Sequence, residues 1–440
     1  MSQPRPPKIP SATTNKCLSG LIHARCRLQP TEMATFAYRR LTGREIRLVE
    51  LDAATNEADP LACRIKHAAF EDERLDFQAL SYVWGDPSVT EELLVDGRAL
   101  RITANLAAAL RRLRTDSEQG YLWADAICIN HLDNDEKSQQ VQMMRDIYSA
   151  AERVVVCLGP EQQSDDEAFA QLSRLKEWGH GALHLPIFYT MLAPFGSDDE
   201  FTKAQLAAAD PDNPLWDGID AIFQRRWFYR VWIIQEFTCA KRCVFYLGSR
   251  ELDWEIDFMS AAISLESTAK IRALKHNTAA SSILTSFSNA QELSHLKEKH
   301  DDGGLGTLYD VLCETYGFEA TNPLDRVYAV LGLVSEPDQR SSLSVDYSQS
   351  YEALLLRVAR TILLPSNGEV GPGLDILSHV TAVQARRAGL PSWVPEWTFT
   401  AGYYQPLCAA YQSERPCSGR GFWVDSENVC NHPQQEGTHS

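Results

Sequence analysis

LWADAICINHLDNDEKSQQVQMMRDIYSAAERVVVCLG, residues 122–159, carries a strand, a helix and a second strand in one stretch. Leu122 to Ile129 is a short, nearly continuous apolar run, as expected of a strand covered on both faces. Asp133 followed by Glu136 reads as a capping-box-like helix start. Val141, Met144, Ile147, Tyr148 and Ala151 then recur at helical spacing. Val154 to Leu158 is a second apolar strand, stopped by Gly159-Pro160. Two strands joined through a helix make a βαβ unit, and such a crossover returns the chain parallel to itself. The fold class expected is therefore α/β, with a parallel sheet flanked by helices.

Upstream, Ile46 to Val49 reads as a strand, and so does Phe77 to Trp84, which the turn signal Gly85-Asp86-Pro87 closes. Leu93-Leu94-Val95, Asp96-Gly97 and the apolar stretch to Ile102 read as a hairpin. Thr103 is placed to cap a helix whose apolar face holds Leu106, Leu110 and Leu113. Downstream of Asp165 the pattern turns mainly helical, with helical material from Leu215 to Ala240 and a short strand over Val244–Leu247. Further helices are expected over Leu305–Tyr316, Pro323–Leu333 and Tyr351–Leu363. The organisation expected is a disordered leader over 1–35 and an α/β domain over 36–250, with an irregular, proline-punctuated insertion near 180–215. A mostly helical region over 251–412 and a polar, disordered tail over 413–440 complete it.

The 440 residues carry a formal net charge of -17, which repels phosphate backbones and anionic lipid heads, so no nucleic-acid partner is expected. No apolar run approaches the ~18 residues of a membrane span. The first segment lacks the apolar core of a secretory signal. The 11 cysteines are odd in number and irregularly spaced, which argues for reduced thiols rather than a disulfide framework, and for a cytoplasmic setting. Cys239 and Cys243 have no histidine pair at zinc spacing, and His180 and His184 have no evident third ligand, so no metal and no cofactor are expected.

Three constellations carry the polar chemistry. Ala79 to Asp86 sets Ser81, Trp84 and Asp86 at or beyond a strand end. Leu122 to Asp133 sets Asn130, His131 and Asp133 beyond another, with Asp125 inside the apolar run needing a partner for its charge. Parallel strands would bring both ends to one rim, where open α/β sheets bind ligands. In the third, Arg225 to Phe237, Trp232 and Glu236 stand four residues apart on one helix face, so the carboxylate is partly desolvated. Spacing alone equally suits an ion pair of Glu236 with Arg230 or Arg226.

The blocks ALSYVWGD, the 122–159 stretch and RRWFYRVWIIQE together resemble the HET (heterokaryon-incompatibility) domain of fungal proteins over roughly residues 38–240. NPLDRVYAVLGLV, VDYSQSYEALLLRVAR and LPSWVPEW resemble the helical region that often follows it. His131 stands where that pattern usually carries glutamine. The resemblance implies a trigger of programmed cell death on nonself recognition, acting by self-association or through a protein partner. HET domains are in turn similar to TIR domains, some of which cleave NAD with a helix glutamate four residues after a tryptophan. By that resemblance Glu236 would be catalytic, and Ser81, Trp84, Asp86, Asn130, Asp133 and Trp232 would bind the ligand. The alternative expectation is thus an NAD glycohydrolase, with NAD as substrate and one carboxylate stabilising an oxocarbenium-like transition state.

Overall fold

The computed structural model of the chain describes residues 34–397 apart from 55, 57–58, 73–74, 115–119, 163–164, 178–209, 211, 214, 260–287, 365–375 and 378–388. The expected tail over 413–440 and His180 and His184 lie outside the described residues. So do nearly all of the leader and most of the insertion.

Among the described residues, nine strands form one sheet in the order β5-β4-β2-β1-β6-β3-β7-β8-β9. They are β1 (Glu45–Leu51), β2 (Leu61–Ala69), β3 (Phe77–Tyr82), β4 (Thr90–Val95), β5 (Arg98–Thr103), β6 (Tyr121–Trp123), β7 (Val154–Cys157), β8 (Cys243–Leu247) and β9 (Arg250–Leu252). The expected α/β class, a sheet flanked by helices, holds, with a parallel centre inside a sheet that is mixed as a whole. Its centre, β6-β3-β7-β8, is parallel, while β1-β2, β1-β6, β4-β5 and β8-β9 pair antiparallel. Composition accounts for the difference. All four residues of β7 are buried, and so are four of the five in β8, as in a covered parallel core. β2 and the C-terminal half of β4 alternate buried with more exposed residues, as strands with one open face do. β2 interleaves Arg64, Lys66 and His67 with apolar residues, and the sequence reading passed over it.

The βαβ unit is present, but its first strand is shorter than the apolar run. β6 stops at Trp123, and Asp125–Cys128 forms one helical turn, α2. Asp125 starts that turn by accepting the Ala126 N–H on its own carboxylate at 2.7 Å. A short apolar run has no periodicity that separates a strand from a buried helical turn. The crossover helix α3 (Asn134–Ala150) leads to β7, and β6 and β7 flank β3 rather than each other. Asp133 caps α3, accepting the N–H groups of Asp135 and Glu136. Only half of a capping box forms, because Glu136 reaches the Asn130 N–H at 2.8 Å instead of that of Asp133. At the β4–β5 hairpin, Asp96 (φ 49°) and Gly97 (φ 74°) take the left-handed conformation that a two-residue turn requires.

The remaining helices are α1 (Ala104–Leu113), α4 (Asp165–Glu177), α5 (Leu215–Phe223), α6 (Trp232–Thr238), α7 (Ser288–Asp301), α8 (Leu308–Glu314), α9 (Asp325–Leu331), α10 (Pro337–Ser342) and α11 (Tyr351–Leu363). Thr103 caps α1 as expected, and α11 has the bounds that its spacing predicts. Sheet and C-terminal helices share one core that runs from Ile46 and Val155 through Ile234 to Val327 and Leu355. α6 lies at the centre of that core, between the sheet and the helices α7 and α9. Among the described residues no helix is long and apolar enough to cross a membrane.

Candidate functional site

The four parallel strands bring their C-terminal ends to one rim, as the first two constellations require. Ser81, the penultimate residue of β3, is fully buried there. Its hydroxyl donates to Glu236 Oε2 and accepts the Trp227 indole N–H at 2.8 Å. Arg230 donates to Tyr82 O at 2.6 Å and stands 3.4 Å from Glu236 Oε1. Glu236 is only 2% exposed. Burial raises its pKa, against the opposing pull of Arg230 and Ser81. Of the two arginines that spacing left open, Arg230 is the partner; Arg226 pairs with Glu319 at 2.7 Å.

One layer outward, the Trp84 indole donates to Asp125 Oδ2 at 2.8 Å. This is the partner that the Asp125 charge needed. The Trp84 ring meets His131 edge to face at 5.0 Å. His131 Nε2 lies 3.2 Å from the Asp125 carbonyl, an acceptor, which assigns the ring proton to Nε2. Burial lowers the His131 pKa despite nearby Asp125, so the ring is neutral at pH 7. Ser81, Trp84, Asp125, His131, Arg230 and Glu236 thus form one polar cluster under a rim. Trp84 is its open side, at 39% exposed.

The other candidates do local work. Asp86 is exposed and accepts the N–H and hydroxyl of Ser88, a turn of its own loop. Asn130 Oδ1 accepts the Leu132 N–H at 3.3 Å, and Asp133 caps α3. Trp232 shares α6 with Glu236 but turns to the C-terminal region, where its indole donates to Asp325 Oδ2 at 3.1 Å. Asp325 Oδ1 accepts the Tyr347 hydroxyl at 2.7 Å, and the Lys137 ammonium sits 3.7 Å from the Tyr347 ring centre. Cys239 and Cys243, just beyond the third stretch, are free thiols. Burial pushes Cys239 up to about 11 and Cys243 up to about 12.

Sequence reading missed Arg47, which is fully buried and meets Glu136 through two N–H···O bonds of 2.6 and 2.9 Å. A third bond reaches the Cys128 carbonyl at 2.7 Å, so Arg47 ties β1 to α2 and α3. Its signal was a lone arginine inside the apolar run from Ile46 to Val49. Trp227 stood in its block without a pattern of its own, while Arg230 is one of the two partners that spacing offered to Glu236.

A cleft of about 1260 Å³ opens at the ends of β3, β7 and β8, between α1 and α5. Tyr82 and Val83 line it, but none of Ser81, Trp84, Asp86, Asn130, Asp133, Trp232 or Glu236 does. The rim therefore holds two separate features, the closed Glu236 cluster and an open cleft beside it.

Residues 77–236 match the family model described as Heterokaryon incompatibility protein (HET). The match begins at the first residue of β3 and ends at Glu236, so it spans the Glu236 cluster and most of the cleft lining, with Tyr246, Gly248 and Ser249 beyond it. The chain is 33% identical over 399 residues to Heterokaryon incompatibility protein 6, OR allele, of Neurospora crassa. That alignment covers 80% of this chain and 57% of the relative, so the chain spans less than two thirds of the relative's length. No solved structure matches. The three sequence blocks on one rim of one sheet thus fall in or around the stretch that is similar to the HET domain, residues 77–236.

Proposed function

We propose that this chain acts in heterokaryon incompatibility, triggering cell death on nonself contact when its HET domain associates with a partner or a second copy. The 33% identity to an incompatibility protein over 399 residues carries the reading, because it extends through both the HET domain and the helices beyond it. Geometry supports association over catalysis at Glu236. That carboxylate is 2% exposed and is engaged by Ser81 and Arg230. The exposed groups on the same rim suit a partner instead. Trp84 is 39% exposed and Leu132, in the loop after α2, is 98% exposed. A tryptophan half in solvent with a satisfied indole N–H is a typical anchor at interfaces.

The test is inducible expression in a fungal host, scored by growth and by entry of a membrane-impermeant dye. Wild type should stop growth and admit the dye, while Trp84→Ala with Leu132→Ser should do so weakly at equal protein level. Undisturbed growth across hosts that carry different incompatibility alleles would remove the proposal. Release of nicotinamide from NAD by the purified chain, abolished in Glu236→Gln, would replace it with the glycohydrolase reading.

A further inference from the structure

The cleft between α1 and α5 stands where an open α/β sheet presents ligands, outside the carboxyl ends of parallel strands. Its volume, about 1260 Å³, exceeds the ~300–1,000 Å³ usual for small-molecule sites. Two glycines shape its floor. Gly159 (φ 107°) follows β7 and Gly248 (φ 58°) turns β8 into β9, in conformations that side chains resist. A side chain at Gly248 would also meet Glu161, 2.2 Å from its Cγ. On the α1 wall Ala104 and Ala108 leave room that larger residues would fill.

The charges are arranged by wall. Arg111 and Arg112 stand on α1, and Arg225 and Arg226 follow α5. In a chain of net charge -17, four guanidinium groups gather around this one cleft, beside the carboxylates of Glu161, Asp217 and Asp220. Arg225 is buried and holds the floor through Leu158 O, Pro160 O and Asp165, so it supports rather than binds. Arg112 lies over the Tyr246 ring at 4.4 Å, which fixes its plane at the cleft wall. Arg111 pairs with Glu91 and Arg226 with Glu319, both near the surface. A guanidinium has five N–H donors, and surface pairs are weak, so a second, doubly charged oxygen group competes well. Asp217 and Asp220 line the α5 side three residues apart, on one face of the helix. Carboxylates there accept hydroxyl donors.

From arginines on both walls, suited to phosphate, and carboxylates on the α5 side, suited to hydroxyls, we propose that this cleft binds a phosphate ester of nucleotide size, such as a nucleoside or sugar phosphate. It is a site that Glu236 does not serve, and it stands independently of the incompatibility reading. Guanidinium groups take phosphate through paired N–H donors, which sets the orientation as well as the charge match.

Isothermal titration of the full chain with ADP, ribose 5-phosphate and adenosine tests this. Both phosphate esters should bind, with adenosine weaker than ADP by at least about tenfold because it lacks the charged group. Arg111→Gln and Arg226→Gln should each weaken ADP by about tenfold. Ala108→Phe should abolish binding by filling the cleft; Ala108 is solvent-exposed, so the core is untouched. Circular dichroism checks that each variant is folded, and Arg226, with its side chain 69% exposed, is the variant least able to disturb the fold. Absence of heat with both phosphate esters at about 1 mM overturns the proposal. So does ADP affinity unchanged by Ala108→Phe, or adenosine binding as tightly as ADP.

Discussion

Removing the carboxylate of Glu236 leaves the Arg230 guanidinium facing the sheet without its counter-charge and Ser81 without its acceptor. Breaking one side of a buried ion pair typically costs about 3–5 kcal/mol. Arg230 keeps its bond to Tyr82 O, so Glu236→Ala should lose stability toward the lower end, about 3 kcal/mol, in urea unfolding. Ser81→Ala should cost about 1–3 kcal/mol, since it strands the Trp227 N–H as well. A loss below about 0.5 kcal/mol in both would mean that the cluster is not structural. Glu292 offers the clearest pH dependence. Burial first, and then the like charge of Glu314, raises it from 4.5 to about 7. A raised acid stabilises the fold fully below its unfolded pKa, and that contribution is lost as pH rises through the folded value. The window is therefore about 4.5 to 7. Glu292→Gln should flatten the fall of unfolding free energy across that window, whose slope from one carboxyl group is at most about 1.4 kcal/mol for each pH unit. An unchanged pH profile would show that another group sets it. Which polar residues mattered was partly legible at this scale. Ser81 and Glu236 stood out in their blocks, but their pairing over 155 positions rests on the packing of α6 against β3, which no local spacing encodes.

α6 has seven residues, six of them buried, and it is held from both sides. On one side is the sheet. On the other, Val231 N bonds Glu319 O at 2.8 Å, Lys297 donates to Ala240 O at 3.0 Å, and Trp232 meets Asp325. Gly332 closes α9 against Gln235. Its φ of -62° is ordinary, so glycine is there for space rather than for conformation. A Cβ would lie 2.2 Å from Gln235 Nε2 and 3.0 Å from Arg145 Cβ. Gly332→Ala should therefore destabilise by about 1–3 kcal/mol through overpacking. Gln235→Ala in the same chain should recover part of that loss, as a double-mutant cycle with coupling above about 0.5 kcal/mol. Strict additivity would place the clash elsewhere. The elements themselves were largely legible. α3 and α11 follow from periodicity, because each buries a regular face, and β3 and β7 follow from short apolar runs. β6 ended early because Asp125 begins a helical turn inside an apolar run, and β2 was missed because its charged residues sit on the open face of a strand that pairs antiparallel with β1 and parallel with β4.

At the scale of the molecule, the HET match stops at Glu236, in the middle of α6, while the core continues through α7, α8, α9 and α11. The boundary at residue 250 that sequence reading drew between the α/β domain and the helical region therefore divides a shared core. Cutting there exposes the face of α6 that α7 and α9 cover. It also removes the bond from Asp325 to Trp232, and the backbone pairing at Glu319. Apolar surface uncovered on that scale makes a fragment aggregate or expand rather than stand as a smaller native domain. A chain ending at residue 250 should therefore run as aggregate in size-exclusion chromatography, or show fast amide exchange across Trp232–Thr238. The full chain should be monodisperse, with that segment protected. Adding the 288–363 region as a separate chain should restore protection if the contact is strong enough to form between two molecules. A truncated chain that is monodisperse and fully protected at α6 would instead make the C-terminal helices an appended module. The association proposed for the Trp84 and Leu132 rim would then be expected of residues 77–236 without those helices.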